Sequence, residues 1–211
     1  MQPSVRPGRI LPAIIVSQFA GTSLWFAGNA ILPELEAHFG LGPGAVATIT
    51  SAVQAGFITG TLVFAFLNLS DRISPRVLFL LCALLAAAAN AAIMLLDLVA
   101  HPYPVLLALR FITGFFLAGV YPLGMKIAAG WYREGLGAAL GYLVGALVLG
   151  TAFPHLVKGM GHGMSWAAVT ASLSLLAVGG GVVMFALVPD GPHLAKGTRF
   201  DPRCHSSLWG K

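Results

Sequence analysis

Arg110-Phe-Ile-Thr-Gly-Phe-Phe-Leu-Ala-Gly-Val-Tyr-Pro-Leu-Gly-Met-Lys126 lies in a long apolar run and opens on the one charge set well inside such a run. A charge at membrane depth costs about 3 kcal/mol or more, so it faces protein or water rather than lipid. At about 100° per residue, Arg110, Gly114, Leu117 and Tyr121 share one helix face. Gly119 and Pro122 should loosen the helix beside it. One face thus carries a charge, a gap and a phenol, which suggests a cavity lining. The plainer alternative is an arginine near a helix end that snorkels outward.

Composition extends this reading to the whole chain. The 211 residues are 57% hydrophobic and only 9% charged, against about a quarter charged in a soluble domain. Apolar runs of about twenty residues recur, each long enough to cross a bilayer core. A strand-built barrel would alternate apolar and polar residues instead. The fold class expected is all-α: a polytopic membrane protein of six transmembrane helices. The spans lie near Ile10–Leu32, Val46–Leu69, Val77–Val99, Val105–Met125, Leu136–Leu156 and Ser165–Val188. Arg6 and Arg9 before the first run imitate a signal peptide, but the run is too long for one. The formal charge of +5 is no sign of a nucleic-acid partner; in a membrane protein the position of each charge matters more.

The spans leave a cytoplasmic N-terminus at residues 1–9, a bundle at 10–188 and a tail at 189–211. Pro33–Gly44, Ser70–Arg76, His101–Pro104, Trp131–Gly135 and Lys158–Gly163 read as connections. Arg6, Arg9, Arg72, Arg76, Lys126, Arg133, Lys196, Arg199, Arg203 and Lys211 fall on one side, and only Lys158 on the other. The positive-inside rule then puts both termini in the cytoplasm, with a bacterial cytoplasmic (inner) membrane as the expected location.

Polar residues inside the spans form stripes. Gln18, Thr22, Trp25 and Asn29 repeat the spacing of the Arg110 face, and Thr50, Gln54, Thr61 and Asn68 share a face of the second span. Glue between helices needs one partner, not a whole face, so an aqueous pathway lined by spans one, two and four is expected. For Asn90, alone in a run of alanines, interhelical glue is the better reading. Gly56 with Gly60, and Gly137, Gly141 and Gly145, have the spacing of helix-packing faces.

No nucleophile elbow and no His-Glu-x-x-His pair occurs. His155 and His162 lack further ligands. Cys82 and Cys204 have no redox or metal spacing. Neither enzyme activity nor a metal or other cofactor is expected.

Leu67-Asn-Leu-Ser-Asp-Arg-Ile-Ser-Pro-Arg76 resembles the loop between helices two and three of the major facilitator superfamily. Leu69, Asp71, Arg72 and Arg76 match that motif; Leu67, Ser74 and Pro75 depart from it. Arg110-Phe-Ile-Thr-Gly114 is similar to the family's fourth-helix motif, and Ala118–Lys126 to members that include nitrate and cyanate permeases. The resemblance implies one half of a twelve-helix transporter, built as two inverted three-helix repeats. It implies secondary transport of a small solute by alternating access, an anion being the candidate that Arg110 brings forward. Arg110, Trp25, Gln18, Asn29, Gln54 and Tyr121 would bind substrate, and Asp71, Arg72 and Arg76 would latch the cytoplasmic side. Cys204–Lys211 fits no pattern of the family's central loop, so a truncated half is expected, its partner being the missing C-terminal half. The alternatives are a homodimeric six-helix carrier or channel, in which a second copy completes the site, and a non-catalytic membrane subunit. Small-molecule substrate and lipid bilayer are the other partners expected.

Overall fold

A computed structural model describes residues 7–42, 44–160 and 163–194. Among these residues there are helices and turns but no strands. The helices are α1 (Ile10–Thr22), α2 (Ala27–Phe39), α3 (Ala45–Phe66), α4 (Leu69–Arg72), α5 (Pro75–Ala91), α6 (Pro102–Leu117), α7 (Tyr121–Trp131), α8 (Leu136–Met160) and α9 (Trp166–Leu187). A 3₁₀ segment, Ala92–Leu98, prolongs α5. They combine into six rods long and apolar enough to span a bilayer: Ile10–Phe39, Ala45–Phe66, Pro75–Leu98, Pro102–Trp131, Leu136–Met160 and Trp166–Leu187.

Two connections expected from sequence are helical instead. Pro33 sits inside α2, so the first rod runs on to Phe39 and carries Glu34, Glu36 and His38 on helix. A membrane helix tolerates proline where neighbours satisfy the freed carbonyl. At the other site, Pro102 starts α6 rather than ending a turn, because proline's fixed φ suits the first helical position. Ser165 caps α9, its hydroxyl accepting from Ala168 N at 3.3 Å.

The packing pairs α3 with α6, α5 with α9, and α1 with both α8 and α9. The α3–α6 seam is close because it is lined by glycine. A Cβ on Gly56 would lie 2.0 Å from Phe111 O, one on Gly60 2.3 Å from Phe115 O, and one on Gly114 1.9 Å from Val53 O. The Gly137, Gly141 and Gly145 ladder behaves differently. A Cβ at any of the three meets nothing within 4 Å, so the expected packing face has no partner among the described residues. It borders an apolar groove formed by Ile15, Phe19, Tyr142 and Leu149. Helices α3 and α8 are the most exposed of the bundle.

Charge gathers at the two ends. At one, Lys158 bonds Glu34 and, at 2.8 Å, the Met164 carbonyl, while His38 Nε2 meets Asp97 Oδ1 at 2.7 Å. At the other, Lys126 bonds Asp71 and the Ser70 hydroxyl. There Asp190 accepts from the Ser74 hydroxyl at 2.7 and 2.8 Å, and Trp131 Nε1 donates to Pro189 O at 2.9 Å. Arg6, His162, Lys196, Arg199, Arg203, Cys204 and Lys211 lie outside the described residues.

Candidate functional site

The first rod breaks at its middle. Ser23–Phe26 leave the helix as turns between α1 and α2. Arg110, on α6, closes over this break. Its Nη2 donates to Leu24 O at 3.0 Å and to Trp25 O, and its Nη1 to Asn90 Oδ1 at 3.2 Å. Asn90 in turn donates to the Ser174 hydroxyl at 3.0 Å and to Thr170 O at 3.4 Å. One arginine thus connects the first, third, fourth and sixth rods. Gly28 makes the fit possible: a Cβ there would lie 2.9 Å from Arg110 Nε.

Arg110 is 0% exposed, which corrects the expectation that it lines an open cavity. The rest of its face is also packed. Gly114 presses on Val53, Leu117 is buried, and the turn Ala118–Val120 separates them from the half-buried Tyr121. The protein interior, rather than water, receives the charge, and the carbonyls of Leu24 and Trp25 at the break accept from it.

The Gln18 stripe divides at the same break, because four turn residues interrupt the helical register. Gln18 and Thr22 are fully buried. Gln18 fills the slot left by Gly124, where a Cβ would lie 2.0 Å from its Oε1, and neither amide atom finds a partner. Thr22 meets Gly150 of α8. Trp25 and Asn29 turn instead toward α3. The rings of Trp25 and Phe57 have centroids 4.6 Å apart, and Asn29 Nδ2 donates to Thr50 Oγ1 at 2.7 Å. Both residues are half-buried, and Gln54, between Thr50 and Phe57 on α3, is exposed. Of the six substrate-binding residues expected, the structure brings Trp25, Asn29 and Gln54 onto one accessible face, leaves Tyr121 apart, and encloses Gln18 and Arg110.

Phe57 is absent from the sequence reading because an aromatic in an apolar span has no signal of its own. Its place one turn beyond Gln54, on the polar side of α3, could have marked it. Trp25 lies midway along Ile10–Phe39 and Gln54 midway along Ala45–Phe66, so the face sits at the centre of both spans.

The motif at the Asp71 end is held within this bundle. Asp71 pairs with Lys126, Arg76 stacks over the Phe185 ring at 5.4 Å, and Arg72 is exposed. A cleft of about 510 Å³ opens there between Asp71, Arg72, Ser74 and Asp190. A second, of about 240 Å³, lies between Thr61, Phe64, Pro122 and Lys126. Arg110 lines neither. Among the described residues, no group of His, Cys, Asp and Glu could hold a metal.

The family model for the major facilitator superfamily matches residues 14–208. The chain belongs to the major facilitator superfamily. No curated protein matches it. Family and fold agree: six apolar rods carry the all-helical bundle that the sequence implied. The superfamily is one of membrane transporters, not of enzymes, which gives this chain a general role in membrane transport. The matched range includes both the Asp71–Lys126 pair and the Arg110 network.

Proposed function

We propose that this chain forms one bundle of a secondary transporter, and that the face of Trp25, Phe57, Asn29 and Gln54 contacts a small solute. The reading rests on one observation: an exposed amide and half-buried aromatics at the centre of two spans. Against hydrocarbon, an unpartnered glutamine side chain costs free energy. Water, solute or a second bundle relieves that cost. In a carrier that works by alternating access, two bundles rock about a site between them. The second bundle is a C-terminal half or another copy of this chain. Asp71, Arg72 and Arg76 lie at the cytoplasmic end in this arrangement and latch the bundles when the site faces outward. The ends carrying Lys126 and Lys158 are cytoplasmic and external respectively, in a bacterial inner membrane.

The test is Gln54→Cys in a background lacking Cys82 and Cys204, probed with a membrane-impermeant thiol reagent in right-side-out and inside-out vesicles. Labelling from both sides without ion leak is expected. Absence of labelling from either side refutes a water-lined face. Reconstitution separates the forms of assembly. Saturable uptake by the purified chain, lost in Trp25→Ala, identifies a self-paired carrier, whereas ohmic conductance identifies a channel.

A further inference from the structure

We infer that Arg110 selects a negatively charged solute group at the Trp25–Phe57 face through its field, without touching the solute. The inference rests on the reading that this face meets water. Three observations carry it. First, the charge is uncompensated: every Asp and Glu among the described residues lies at a rod end or in a connection, namely Glu34, Glu36, Asp71, Asp97, Glu134 and Asp190. The acceptors around Arg110 are an amide and two carbonyls. They accept from Nη1 and Nη2, leave Nε without a partner, and carry no net charge, so one full positive charge remains inside the bundle. Secondly, no part of Arg110 is exposed, which rules out direct contact in this arrangement. Thirdly, the charge sits directly behind the accessible face. Its Nη2 holds the carbonyls of Leu24 and Trp25, while the Trp25 ring packs on Phe57.

Gln54 follows Val53, whose carbonyl meets Gly114 one turn from Arg110. With about 5.4 Å per turn, Gln54 and the guanidinium are on the order of 10 Å apart. Two unit charges at that distance, with an effective dielectric constant of about 20, shift an equilibrium roughly tenfold. Salt screens this little, because protein rather than electrolyte fills the gap. The face then offers aromatic surface and one amide to a small anion, and the field supplies the charge preference. Carboxylates and comparable monovalent anions fit this chemistry.

The experiment compares an anionic sulfonatoethyl with a cationic trimethylammonioethyl methanethiosulfonate. Both are applied to the full chain carrying Gln54→Cys, and to a control carrying Gly42→Cys, in the same background lacking Cys82 and Cys204. The field favours the anion and opposes the cation by roughly tenfold each, so the anion-to-cation rate ratio is expected to be about a hundredfold higher at position 54 than at position 42. Arg110→Gln should abolish the excess, and Arg110→Lys, which keeps the charge, should retain most of it. Equal ratios at the two positions, read before Arg110 is altered, overturn the inference. An excess that survives Arg110→Gln overturns it too. Failure of both reagents at position 54, with normal reaction at position 42, overturns the water-lined reading and this inference with it.

Discussion

Gly114→Ala tests what holds the second rod to the bundle. The new Cβ would lie 1.9 Å from Val53 O and 2.8 Å from Val53 C. An ordinary carbon–oxygen contact is about 3.3 Å, so the backbones of α3 and α6 must part by roughly 1.4 Å. No flexible side chain can absorb the shift, because the obstacle is main chain. A gap of about 1 Å already forfeits up to half of the dispersion energy at a contact. Between membrane helices that energy is most of the attraction, since lipid removes the hydrophobic drive. α3 depends on this seam, where Gly56 and Gly60 meet Phe111 and Phe115 in the same way. The expected loss lies at the upper end of the overpacking range, about 3 kcal/mol. Gly141→Ala is the control, because its Cβ meets nothing within 4 Å. The assay heats detergent-purified protein and reads the surviving monodisperse fraction by size exclusion. Gly114→Ala should lower the midpoint by several degrees and Gly141→Ala should leave it unchanged. Equal midpoints for Gly114→Ala and the parent would falsify the close α3–α6 seam.

Two further outcomes follow from the divided stripe and from the placement of charge. Thr22→Cys should resist the thiol reagents that modify Gln54→Cys, because Thr22 is fully buried against α8; comparable labelling rates would restore a single aqueous stripe. A periplasmic reporter fused after Lys211 should stay silent, and strong activity there would mean an odd number of spans.

The class of fold was legible because it rests on composition and run length, which a bilayer constrains directly. Six rods follow from six apolar runs, and the α3–α6 seam was foreshadowed by the spacing of Gly56 and Gly60. The site was legible only in part. A face drawn at 100° per residue assumes an unbroken helix, and the first rod breaks where the projection needed it whole. Nothing in Ser23-Leu24-Trp25-Phe26 announces a turn, since none of the four is glycine or proline. Its cause is tertiary: Arg110 supplies donors to Leu24 and Trp25 that a regular helix would not need. The Gly137 ladder failed for a related reason. Spacing shows that a close approach is possible, not which surface makes it.

Arg110 therefore does two separable things, and they place different demands on the side chain. Holding the break requires a planar fork that reaches Leu24, Trp25 and Asn90 together. Setting the potential at the Trp25–Phe57 face requires only a positive charge. Lysine keeps the charge but has a single nitrogen, so it cannot span the distance from Asn90 to the Trp25 carbonyl. Removing the fork leaves the Trp25 carbonyl and the Asn90 amide oxygen without donors, at about 1–3 kcal/mol each, and leaves Leu24 O with only the 3.4 Å bond from Ala27 N. The network also reaches Ser174 and Thr170 through Asn90, so its loss loosens contacts among four rods at once. Stability and charge selection should accordingly part company in Arg110→Lys. The melting midpoint should fall while the anion preference at position 54 persists. An arginine that served only as a staple would lose nothing but stability on substitution, and one that bound solute directly would be exposed.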